Sequence, residues 1–151
     1  TAEIRLERVP VLPAAQAVAA REAPGREVSL AIDEAMAVRA QPELLSRALA
    51  NVVRNAARYA GDAGPIAVTA KADGARVVIR VADRGPGVPA ETVGRLFEPF
   101  YRTEPDRARR TGGSGLGLAI VKTCVEACGG SVSARNLVPA GFEVILTFDA
   151  A

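Results

Sequence analysis

The 151-residue chain contains no histidine and no tryptophan, two cysteines, and only two lysines (Lys71 and Lys122) among its 19 basic residues. The missing histidine excludes every mechanism in which this chain supplies an imidazole: Ser/His/Asp and Cys/His triads, histidine zinc sites and a phosphohistidine acceptor. Cys124 and Cys128 lie four apart in a helical stretch. Such a pair suits redox chemistry or a metal, but both positions fit the helix's apolar stripe, which points to buried free thiols in a reducing cytoplasm. A net charge of +2 gives no polyelectrolyte reason to bind nucleic acid or a membrane surface. No apolar run approaches the ~18–20 residues of a membrane span, and no signal-peptide pattern opens the sequence. The excess of arginine over lysine and the abundance of alanine read as a GC-rich coding bias.

What is present suits one domain. With 49% apolar residues, a chain near this length buries ~68–70% of its unfolded surface. The sequence starts inside an apparent strand, 4–11, as a fragment of a longer protein would. Residues 13–23 read as a helix opened by Pro13 and stopped by Pro24-Gly25. Alternation predicts strands over 27–32 and 37–40. Pro42 starts the longest helical pattern, to Ala60. After the breakers Gly61 to Pro65, strands 66–72 and 75–83 are joined by an Asp73-Gly74 hairpin signal. Residues 84–115 form a long Gly-, Pro- and Arg-rich loop, a length that is usually functional. Residues 116–128 are helical, ended by Gly129-Gly130, and strands 131–136 and 142–148 finish the chain. The pattern predicts a two-layer α/β sandwich, a mixed and mainly antiparallel sheet covered on one face by three helices.

Three local signals carry chemistry. On helix 42–60, Asn51, Asn55 and Arg58 stand at i, i+4 and i+7, one polar stripe beside the apolar face. Asparagine is a poor helix former. Its carbonyl oxygen is a hard ligand that suits Mg²⁺ when phosphates and waters complete the shell, and Arg58 can reach a phosphate; two ordinary surface asparagines are the plainer account. Asp83-Arg84-Gly85-Pro86-Gly87-Val88 follows a strand directly. A carboxylate there accepts from an exocyclic amine, which adenine has where guanine has a carbonyl, although a turn with a capping Asp looks the same. Gly112-Gly113-Ser114-Gly115-Leu116-Gly117-Leu118 enters a helix N-terminus, which offers free N–H groups and a positive dipole end to an anion. It is neither a Walker A loop nor a Rossmann fingerprint. Between the glycine segments, Leu96 to Arg102 and then Arg107, Arg109 and Arg110 suit a lid over a triphosphate, or simply a solvated basic loop.

Taken in order, NVVRNAARYA (51–60), ADRGPGV (82–88), LFEPFYR (96–102) and GGSGLGLAIV (112–121) resemble the N, first glycine, F and second glycine boxes of the catalytic and ATP-binding domain of sensor histidine kinases. That superfamily includes gyrase, heat-shock chaperones and mismatch-repair ATPases. The likeness runs from about Ile4 to Phe148 and is nearest in character to envelope-stress sensor kinases. It implies a Bergerat-type sandwich that binds ATP with Mg²⁺. In that reading Asn55 holds the metal and Asn51 supports it. Arg58 and Arg102 act on the terminal phosphates as the catalytic residues. Tyr59 and Tyr101 pack near the nucleotide, Asp83 reads the adenine amine, and Gly85, Gly87 and Val88 shape the adenine pocket floor. Gly113, Ser114, Gly115, Leu116, Gly117 and Leu118 surround the phosphates. The implied partners are a histidine-containing dimerisation domain of the same kinase and, indirectly, a response regulator. The implied setting is a cytoplasmic domain of a homodimeric parent in the bacterial inner membrane, with no nucleic-acid partner and no direct membrane contact. Because the acceptor histidine is absent, no autophosphorylation is expected of this chain alone.

Two departures matter. ATP-hydrolysing relatives and anti-sigma-factor serine kinases typically carry a Glu one turn before the metal-binding Asn, as base. Here that place holds Asn51, which argues against hydrolysis. Ala140-Gly141-Phe142 is a reduced form of the family's last glycine pair, expected to affect the end of the sheet and not the nucleotide site. A binding-only module, serving as nucleotide sensor or scaffold, is the remaining alternative.

Overall fold

The computed structural model describes residues 3–99, 101 and 117–151. Five strands form the main sheet in the order β2-β4-β5-β7-β6: β2 Val28–Ala31, β4 Ile66–Asp73, β5 Arg76–Asp83, β6 Ser131–Asn136 and β7 Phe142–Asp149. β2 runs parallel to β4, and the other pairs are antiparallel. β1 Glu7–Pro10 and β3 Ala37–Ala40 form a separate antiparallel ribbon. The end of the chain stitches this ribbon to the sheet, with Ala151 N donating to Ala37 O and Ala150 N to Ala75 O. Helices α1 Val11–Glu22, α2 Pro42–Ala60 and α3 Gly117–Ala127 pack side by side, α2 in the middle, on one face. The mainly antiparallel two-layer architecture expected from patterning is the one found.

The core follows the periods. β5 buries Val77, Ile79 and Val81, and β4 buries Ile66, Val68 and Ala70, every second residue as the pleat requires. α2 lays Leu45, Ala48, Leu49, Val52, Val53 and Ala56 over them. On the other sheet face Glu143 is buried between Arg80 (3.2 Å) and Arg135 (2.8 Å). Cys124 and Cys128 are free and buried, as expected, and burial pushes the Cys124 thiol up, away from reactivity.

Boundaries differ from expectation for local reasons. α1 begins at Val11, not Pro13. Pro13 sits within the first turn, where N–H groups have no intrahelical acceptor and its missing donor costs nothing; Val11 N is taken by Met36 O. β1 spans four residues because its partner β3 is that short. The hairpin turn is Gly74-Ala75, with Gly74 at φ +62°, so Asp73 ends its strand instead of entering the turn. Part of the expected loop is a 3-10 helix, Ala90–Arg95. α2 keeps its expected limits: Gln41 accepts from Leu44 N through its side chain, Pro42 follows, and Gly61 takes φ +55° beyond the end.

Candidate functional site

α2 presents Asn51, Asn55 and Arg58 on one side, each half-buried. Asn51 Nδ2 donates to Arg47 O at 2.8 Å, which ties the amide back along its own helix. Its Oδ1 lies 3.7 Å from where a Cβ on Gly117, the first residue of α3, would stand. The guanidinium of Arg58 lies over the Tyr59 ring, 5.9 Å from its centroid. Arg54, on the outer side, bonds Glu22 of α1 at 2.9 Å.

The C-terminal end of α2 meets the first glycine segment. A Cβ on Gly85 would come within 2.9 Å of both Tyr59 O and Ala60 Cα. Only glycine allows the backbone to lie this close to the helix. Asp83 ends the central strand β5 at 4% exposure. Its Oδ1 accepts from Gly85 N at 2.8 Å. Burial pushes its carboxyl above the ordinary aspartate range, while the Gly85 and Phe142 N–H groups and the Arg26 charge pull it back down. α2 therefore borders the start of α3 near Asn51 and the Asp83–Gly85 turn near Ala60, separated by roughly 13 Å of helix.

Val88 is half-buried, and its main chain is held by Asn136: Val88 N donates to Asn136 Oδ1 at 2.9 Å, and Asn136 Nδ2 donates to Val88 O at 2.7 Å. Gly87, at φ +75°, passes beneath that amide. Gly141 abuts Asp83 O so closely that a Cβ there would collide with it. The segment around Gly141, expected to bear only on the end of the sheet, thus lies against the first glycine turn. Tyr101 sits under Arg95, whose guanidinium is 4.5 Å from the ring centroid, and Arg95 also pairs with Glu98. Leu118 is half-buried on the first turn of α3. Arg102, Gly113, Ser114, Gly115 and Leu116 lie outside the described residues, as does the arginine-rich stretch from Arg107 to Arg110.

Sequence reasoning missed two participants. Asn136 closes a strand, and nothing in its spacing marks it. Arg26 bonds Ala57 O and Gly64 O, at 3.0 and 3.3 Å, which brings its charge near Asp83. Chemically, the α2 side offers amide oxygens and a guanidinium, and the β5 end offers a desolvated acceptor beside glycine backbone. Among the described residues, no group of three or more His, Cys, Asp or Glu side chains converges on a point. A divalent ion held by Asn55 would draw on phosphate oxygens and waters to complete its shell.

The sensor histidine kinase CpxA of Escherichia coli (strain K12) is 41% identical over 105 residues, covering 70% of this chain and 22% of that protein. The chain thus spans about a fifth of that relative's length. Among solved structures, the mycobacterial sensor histidine kinase MprB superposes with a TM-score of 0.80 at 27% identity, covering 95% of this chain and 98% of that one. Full-length ShkA, solved in complex with AMPPNP, gives 0.80 at 33% identity, covering all of this chain (100%) and 33% of that one. The family model described as histidine kinase-, DNA gyrase B- and HSP90-like ATPase matches residues 40–151, from the end of β3 through both glycine segments to the last residue, and the chain belongs to that family.

Proposed function

We propose that this chain binds Mg-ATP and presents the γ-phosphate to a histidine on a separate dimerisation domain, in two-component signal transduction. The observation that carries the reading is α2 itself, bordered by a buried acceptor and glycine turn at one end and by the start of α3 nearer its middle.

In this reading the Asp83 carboxylate accepts from the adenine amine, and Gly85, Gly87 and Val88 form the surface on which the base lies. Tyr59 packs beside the nucleotide, and Tyr101 and Arg102 approach from the lid. Backbone N–H groups of Ser114, Gly115, Leu116, Gly117 and Leu118, in the glycine-rich run that leads in sequence into α3, receive the phosphates, with Gly113 also bordering them. Asn55 offers its amide oxygen to Mg²⁺, which when bound neutralises phosphate charge, and Asn51 supports that position. Arg58 and Arg102 compensate charge on the transferring group. The acceptor's neutral imidazole nitrogen forms a bond to γ-phosphorus as the bridging P–O bond breaks, and ADP leaves with the electron pair. Such a displacement requires positioning and charge compensation more than a base, which suits a chain with an amide at position 51. We place the domain in the cytoplasm as part of a homodimeric inner-membrane kinase serving a response regulator.

The test is thermal melting with Mg-ATP and Mg-GTP, followed by incubation with a histidine-bearing dimerisation domain and γ-labelled ATP. Mg-ATP raises the melting temperature, Mg-GTP does not, and label appears on histidine. No shift with Mg-ATP overturns the reading. A shift without transfer leaves a nucleotide sensor and overturns the kinase half.

A further inference from the structure

Asn136 lies outside every motif in the sequence, yet its whole amide is committed to the first glycine segment. The oxygen accepts from Val88 N–H at 2.9 Å and the nitrogen donates to Val88 O at 2.7 Å. The reciprocal pair engages both backbone polar groups of one residue from a single rigid plane, and only a primary amide offers donor and acceptor in that geometry. A Cβ on Gly87 would come within 2.5 Å of Asn136 Oδ1, so the loop passes as close to this amide as glycine permits.

The same β6–β7 turn grips the other end of the segment. Asn136 pairs with Phe142 across β6 and β7, and Phe142 pairs with Asp83 across β7 and β5. Gly141 abuts Asp83 O, and Leu137 N donates to Gly141 O at 2.9 Å to close the turn itself. The segment from Asp83 to Val88 is therefore fixed at its start by Gly141-Phe142 and at its end by Asn136.

We propose that Asn136 is a positioning residue for the base end of the nucleotide site, setting the position of the Gly85–Val88 segment relative to Asp83 without itself touching nucleotide. This rests on the nucleotide-binding reading above. Loss of the clamp lets the floor of the base site shift against the acceptor. The penalty then falls on recognition of the adenine amine, while the phosphate end, beside Asn51 and Gly117, is spared.

The experiment measures binding of Mg-ATP and of purine riboside triphosphate, which is ATP without the exocyclic amine, by competition against a fluorescent ATP analogue. The 151-residue chain is compared with Asn136→Ala and Asn136→Asp. The Asp variant keeps the shape and the acceptor but turns an oxygen toward Val88 O, so it carries the comparison if the Ala variant does not fold. The unaltered chain is expected to prefer ATP by about tenfold or more, the worth of a hydrogen bond to a charged group. In both variants the preference falls to within about threefold. A merely structural role weakens both ligands equally, so an unchanged ratio, whatever the absolute affinities, overturns the proposal. If the unaltered chain binds neither nucleotide, the proposed function falls and this inference with it. If it binds and discriminates while the variants discriminate equally well, only the role of Asn136 falls.

Discussion

Asp83 holds a carboxylate out of water on the backbone N–H of Gly85. Replacing it with Asn removes the charge and presents an NH₂ where the adenine amine would donate. ATP affinity should drop about ten- to a hundredfold, the ~1.5–3 kcal/mol of a hydrogen bond to a charged group; calorimetric titration with unchanged affinity would exclude the base-reading role. Its raised pKa has a signed consequence. The folded state holds the Asp83 proton more tightly than the unfolded chain does, so this residue's stabilising contribution is complete below the ordinary value of 3.8 and is lost as pH rises through the elevated one. Urea titrations run upward from below that ordinary value should show the decline in the parent protein and its absence in Asp83→Asn.

At the scale of elements, Glu22 couples α1 to α2 through Arg54, with Arg21 beside it. The Arg54 hydrogen bond holds the Glu22 carboxyl below its ordinary range. The pair's contribution is therefore present above the unfolded value and disappears as pH falls through the depressed one. With Arg54 half exposed, Glu22→Gln should cost only about 0.5–1 kcal/mol at neutral pH, and melting curves of the two proteins should converge in acid. Gly85→Ala acts on a tighter contact. Its Cβ would press on the α2 backbone at Tyr59 and Ala60, and overpacking of this kind costs about 1–3 kcal/mol. Lowered stability together with weakened Mg-ATP binding is expected, and a variant that melts and binds like its parent would show that the turn can retreat freely. The limits of α2 were legible because Gln41, Pro42 and Gly61 are all local signals. The start of α1 was not, because Val11 joins the helix through Met36 O, a partner distant in sequence. The site divides in the same way. Asn51, Asp83 and Gly85 announce themselves through stripe and glycine spacing, whereas Asn136, Arg26 and Gly141 act through contacts that only the β7 pairing and the α2 packing create.

At the scale of the whole molecule, position 51 bears on the division of labour between this chain and its proposed partner. An amide cannot take a proton from water, so Mg-ATP incubated with this chain alone should yield phosphate at the background rate. A coupled assay showing rapid turnover would point to a hydrolase instead. The placement of α2 has a mechanical corollary. One rigid rod, wedged between α1 and α3, abuts the Asp83–Gly85 turn near one tip and Gly117 nearer its middle. Sliding it along its axis by a single residue's rise, about 1.5 Å, would disturb both abutments together. A substitution beneath the rod, at Leu49 or Val53, should therefore be felt in both places, and neither can be retuned from below without detuning the other.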